Sequence, residues 1–121
     1  MPKLYVIKNN FEFRRAYSRG KSYVDRLLVT YVFRKKHGGV RVGVTSGRKI
    51  GCAVQRNRAR RVIRAAFREL DLPLSGSYDI IFVARSTTAG AGMKKVRDAM
   101  RSQLVTAGVA LPPEDGRKDG E

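Results

Sequence analysis

Residues 54–70 read VQRNRARRVIRAAFREL, and the arrangement of the rest of the chain turns on this stretch. Ala59, Val62, Ile63, Ala66, Phe67 and Leu70 recur at the three- and four-residue spacing of one helical face. The spacing predicts an amphipathic helix over 54–70, ended by Leu72-Pro73. With Arg56 at zero and about 100° per residue, Arg60, Arg64, Arg68 and Arg61 fall near 40, 80, 120 and 140°, and Arg58 near 200°. The apolar set occupies about 240° through 20°, so a core stripe backs a ridge of arginines. No acid occurs from Arg48 to Arg68. Like charges so spaced cost a few tenths of a kcal/mol per pair, so folding alone gives no reason for them. A polyphosphate partner would remove that cost, and a guanidinium fork grips phosphate with two parallel hydrogen bonds or stacks on a base. A merely solvated basic face is the alternative, but such faces normally mix signs.

Working outward, NNFEFRRAYSRG at 9–20 predicts a short helix, capped by Asn9 or Asn10 and closed by Gly20. Phe13, Ala16 and Tyr17 share one of its faces. LLVTYVF at 27–33 suits a strand, with Leu27, Val29, Tyr31 and Phe33 on one side and Leu28, Thr30 and Val32 on the other. The polar run 34–39, closed by Gly38-Gly39, predicts a hairpin loop, and VRVGVT at 40–45 the returning strand. A glycine-punctuated loop, SGRKIG, fills 46–51. YDIIFVA at 78–84 is apolar nearly throughout, which predicts a central strand. STTAGAG at 86–92 reads as a linker, and Met93, Val96, Met100, Leu104 and Ala107 outline a last helix. The order α-β-β-α-β-α predicts an α/β or α+β two-layer sandwich with one small sheet. Residues 1–111 read as a single domain, and 112–121 as a disordered charged tail.

The chain has 121 residues, 42% of them hydrophobic, enough for one domain with its own core. Lys and Arg number 26 against 10 Asp and Glu, a formal charge of +16 that selects polyanionic partners and discourages self-association. No run approaches the ~20 apolar residues of a membrane span, and MPKLYVIKNN has no signal-peptide core. Cys52 is the only cysteine, so no internal disulfide forms and a reducing cytoplasm is expected.

Phe13 and Tyr17, with Tyr31 from the first strand, are candidates to line a groove where unpaired bases stack, each base worth ~1–3 kcal/mol. Phe13 suits plain core packing equally well, whereas tyrosine hydroxyls need a partner or water and favour a surface. Enzymatic residues are scarce. His37 is the sole histidine and lies in a loop, which argues against a histidine-dependent nuclease or a metal cage. Cys52 lies near arginines able to lower its pKa but has no histidine base nearby, and reads as small buried filler. Asp25, Asp79 and Asp98 are scattered one per element, and SGRKIG lacks the spacing of a nucleotide-binding loop. Any catalyst must come from another molecule.

The block RKIGCAVQRNRARRVIR at 48–64, with its R-N-R core, closely resembles the signature of the bacterial ribonuclease P protein subunit family. FRRAYSRG at 13–20 resembles that family's first helix, and RVGV at 41–44 and YDIIFVAR at 78–85 its later strands. The likeness runs over roughly residues 4–107. It implies a ribosomal-protein-like α/β sandwich with a left-handed βαβ crossover, against the usual right-handed rule. It also implies a division of work in which an RNA subunit with bound Mg²⁺ removes the 5′ leader of precursor tRNA, while a monomeric protein stabilises that RNA and holds the leader. By position, Arg48, Lys49, Arg56, Asn57, Arg58, Arg60, Arg61, Arg64 and Arg68 would meet the RNA subunit, and Phe13, Tyr17 and Tyr31 would line the leader cleft. No metal site is carried over to the protein. The chain departs from the family pattern at Arg48, where lysine is usual, and at Gly47 and Cys52, where Ser and Asn are common. A ribosomal or ribosome-associated RNA-binding protein shares the charge and fold type and is the runner-up. A protein-only nuclease lacks the residues for its chemistry, and a DNA-binding protein lacks a recognition-helix or dimerisation signal.

Overall fold

In a computed structural model, residues 5–7, 9–47, 50–70, 74 and 76–110 are described. Among these, nine elements follow one another: β1 (Tyr5–Val6), α1 (Asn10–Arg19), β2 (Lys21–Val24), β3 (Leu28–Arg34), β4 (Val40–Ser46), α2 (Ala53–Leu70), β5 (Tyr78–Ala84), α3 (Thr88–Ala91) and α4 (Met93–Ala107). The strands form one mixed sheet in the order β1-β4-β5-β3-β2. The expected α+β sandwich is the body of the molecule, with α2 and α4 packed on one face of the sheet and α1 on part of the other. The predicted helices and strands form within a residue or so of their expected bounds.

β5 takes the centre. Ile80, Ile81 and Phe82 are all fully buried, which requires cover on both faces and neighbours on both edges. It pairs antiparallel with β3, from Leu28↔Ala84 to Arg34↔Tyr78, and parallel with β4, from Val40↔Tyr78 to Ser46↔Ala84. The expected β3–β4 hairpin is therefore corrected: the two strands follow one another in sequence, but β5 lies between them. The apolar run of β5 buries more surface there than an edge position would, and this outweighs the local turn signal of Gly38-Gly39. Two short strands, β1 and β2, escaped the sequence pattern and extend the sheet at its edges. The expected linker at 86–92 contains α3, held by buried Thr88, whose hydroxyl donates to the Leu27 carbonyl (2.5 Å) and accepts from the Arg85 N–H (2.8 Å).

The larger core joins Leu28, Val32, Val42, Ile80, Phe82 and Ala84 of the sheet to Ala59, Ile63, Ala66, Phe67 and Leu70 of α2 and Val96, Met100 and Leu104 of α4. The apolar stripe read from 54–70 is thus the face that α2 buries. One polar link crosses this core: the buried Thr30 hydroxyl donates to Gln103 Oε1 (2.5 Å), and Gln103 Nε2 donates to the carbonyls of Tyr23 (2.8 Å) and Leu28 (3.2 Å). On the opposite face Ile7, Ala16 and Ile81 form a smaller core, with Phe13, Tyr31, Phe33 and Val83 packed around it. Asn9 caps α1 by accepting the Phe11 N–H (2.8 Å), as the sequence suggested. No helix among the described residues is long and apolar enough to cross a membrane. The expected charged tail lies outside the described residues.

Candidate nucleic-acid interface

Two surfaces lie on opposite sides of the sheet. The first is the arginine ridge of α2. Its helix starts where Cys52 N–H donates to Gln55 Oε1 (3.2 Å), a side chain reaching back to cover a free helix-end donor. Gly51, at φ +128, lets this happen, since a Cβ there would occupy the place of the Gln55 oxygen. Arg58, Arg61, Arg64 and Arg68 are exposed, and Arg56 and Arg60 half-buried. None of the six forms an ion pair among the described residues. Arg56 donates to the Gly51 carbonyl (2.7 Å), and Arg60 to Ser46 Oγ (2.8 Å) and to the Asn57 carboxamide oxygen. Asn57 thus orients Arg60, a role that its place in the R-N-R motif did not reveal. Arg48 and Lys49, expected beside this ridge, lie outside the described residues.

The second surface is aromatic. Phe13 and Tyr17 of α1 lie with ring centres 6.4 Å apart, and Tyr17 meets Tyr31 of β3 edge-on at 4.9 Å. The structure therefore brings together the three aromatics singled out in the sequence. Asn10, Arg14, Val44 and Thr45 complete an open groove with Phe13 and Tyr17. Gly43 lies buried beneath Phe13: a Cβ there would stand 2.9 Å from Phe13 Cζ and 3.1 Å from Ile81 Cδ1, so only glycine lets the phenyl ring lie this close to the strand. Phe13 serves both readings made of it, packing against the smaller core while presenting an edge to the groove. Partial burial pushes the Tyr17 hydroxyl pKa up, against the opposing effect of Thr45 beside it. The end of β4 connects the two surfaces, because consecutive strand residues face opposite ways: Thr45 lines the groove while Ser46 holds Arg60.

Beneath Glu12 and Arg15 of α1 lies an ion cluster that the sequence pattern did not reveal. Asp79, fully buried, accepts from Arg15 Nη2 (3.0 Å), Arg41 Nε and Nη2 (both 3.0 Å) and pairs with Lys35 Nζ (2.8 Å). Arg41 also reaches Glu12 Oε2 (2.6 Å). Burial opposes ionisation of Asp79, but hydrogen bonds from Arg41, Lys35 and Arg15 outweigh it and hold the carboxyl below its usual range. A lone acid inside the apolar strand YDIIFVA was the available signal. Cys52 also requires correction. It is exposed rather than buried filler, and its thiol is shifted down mainly by backbone N–H groups of Gln55 and Val54 at the start of α2, with Arg56 a minor contributor. Exposed His37 stays in its loop.

Fold and surface together define a small α+β protein with an uncompensated cationic helix on one side of its sheet and an aromatic groove on the other. A family model for Ribonuclease P matches residues 1–108, and the chain belongs to the ribonuclease P protein family. It is 38% identical over 104 residues to the ribonuclease P protein component of Clostridium botulinum (strain Loch Maree / Type A3), covering 85% of this chain and 94% of that one. The ribonuclease P protein component of Thermoanaerobacter sp. (strain X514) is 38% identical over 103 residues, covering 85% and 89%. Among solved structures, the RNase P protein of Staphylococcus aureus superposes with a TM-score of 0.73 at 31% identity, covering 88% of this chain and 98% of that one. That of Thermotoga maritima, at 22% identity and a TM-score of 0.67 over 81% and 93% of the two chains, shares the fold. The chain is thus a protein component of ribonuclease P, in a family of RNA-binding proteins that process tRNA.

Proposed function

We propose that this chain divides its two surfaces between two RNAs. The α2 ridge, through Arg56, Asn57, Arg58, Arg60, Arg61, Arg64 and Arg68 with Arg48 and Lys49, binds the catalytic RNA subunit of ribonuclease P. The groove of Phe13, Tyr17 and Tyr31 holds the single-stranded 5′ leader of precursor tRNA. The RNA subunit, with its own Mg²⁺, makes the cut in the cytoplasm, and the protein acts as a monomer that supplies positioning and charge.

The observation that carries this reading is the contrast in charge compensation. Asp79, the fully buried acid, is surrounded by three cations, while six arginines on one helix have no carboxylate partner among the described residues. Phosphate contacts give affinity and register with little sequence information, and aromatic stacking tolerates any base. Both suit a protein that serves many different precursors. Reconstitution tests the proposal: at low Mg²⁺, adding the chain to the RNA subunit is expected to restore accurate 5′ maturation of a precursor tRNA. Cleavage by the chain alone, or no effect of adding it, would contradict it.

A further inference from the structure

The outer face of α1 carries a second cluster of aromatic and cationic side chains. Phe11 is 62% exposed, and with Arg14, Arg15, Ser18 and Arg19 it lines a shallow depression on the side of the helix away from the sheet. The ring of Phe11 is propped from below. The Arg15 guanidinium lies 5.5 Å from its centre and 4.6 Å from that of Phe33, and is itself anchored on Asp79. Arg15 is thereby committed to the protein. Arg14 and Arg19 are not: both are exposed, and neither forms an ion pair among the described residues. Glu12, the acid of this helix, is turned to Arg41. A held aromatic ring flanked by two uncommitted guanidinium groups suits one base and its adjoining phosphates.

Continuity with the groove decides what occupies it. Arg14 lines both the aromatic groove and the Phe11 depression. At about 100° per residue, Tyr17, Arg14 and Phe11 succeed one another at steps of about 60° around α1, so the two sites adjoin across the helix through Arg14. We infer that the leader, after leaving the groove of Phe13, Tyr17 and Tyr31, crosses α1 at Arg14 and stacks a more distal base on Phe11, with Arg19 on its phosphate. This inference rests on the proposed leader groove and extends it. The large positive charge argues against a second copy of the chain as the occupant.

Leader length separates the two claims. Holoenzyme reconstituted with wild-type chain, Phe11→Ala, Arg19→Ala or Tyr31→Ala is titrated with precursor tRNAs whose leaders are lengthened one nucleotide at a time. Tyr31→Ala is expected to weaken binding from the short leaders onward. Phe11→Ala should leave short-leader precursors unaffected and weaken long-leader ones by about tenfold, and Arg19→Ala should do so to a lesser degree with a flatter salt dependence. Phe11 and Arg19 are exposed, and unchanged thermal melts of their variants establish that the fold is intact. Wild-type affinity of Phe11→Ala at every leader length overturns the inference while leaving the groove standing. An equal loss at every length, mature tRNA included, also overturns it. A Tyr31→Ala variant without effect removes the groove itself.

Discussion

Asp79 does at the scale of one residue what no single element does: it fastens α1, the end of β3 and β4 through Arg15, Lys35 and Arg41. Three donors satisfy a carboxylate that burial alone would neutralise. Removing it leaves cations crowded beneath α1, and Asp79→Asn is expected to lower stability at pH 7 by about 3 kcal/mol, read by urea unfolding. The pH dependence follows from the lowered folded-state pKa. The contribution is fully present above the unfolded carboxylate value of about 3.9 and disappears as pH falls through the lower folded value. The gap between wild type and variant should therefore narrow below about pH 4, and a gap that persists unchanged there would show that Asp79 contributes by packing alone.

At the scale of elements, α2 and β4 carry the division of surfaces. Ser46 holds Arg60 on the ridge side, so Ser46→Ala is expected to weaken RNA-subunit binding severalfold by freeing the guanidinium, with stability nearly unchanged. Ser46→Thr, which restores a hydroxyl, should recover most of that affinity, and a failure of both variants to move it would remove the positioning role. Arg61 and Arg64 are exposed and make no hydrogen bond among the described residues, so their whole contribution falls on a partner. Replacing both with Ala should lower the slope of log affinity against log salt by ~0.7–0.9 for each phosphate no longer neutralised. An unchanged slope would mean that the ridge does not meet phosphate. Much of this element level was legible beforehand. The 3.6-residue period of α2 and the apolar run of β5 arise from burial, which leaves a local imprint on sequence. Strand partnership does not: Gly38-Gly39 marked a turn between β3 and β4 but carried no information that β5 would lie between them. β2, with only Tyr23 half-buried, has no alternation to read, and Asp79 binds a partner as far as 64 positions away.

For the whole molecule, a +16 chain carries a sheet that separates a cationic ridge from an aromatic groove, and the proposed function gives each surface its own RNA segment. The three aromatics were identifiable singly, yet that they meet depends on α1 packing across β3, a tertiary fact. The central claim, that leader recognition resides in this groove, is tested most directly by the affinity of Tyr31→Ala holoenzyme for precursor against mature tRNA. Affinity for precursor tRNA is expected to fall about tenfold while that for mature tRNA stays put. Equal losses for both, or none for either, would contradict it.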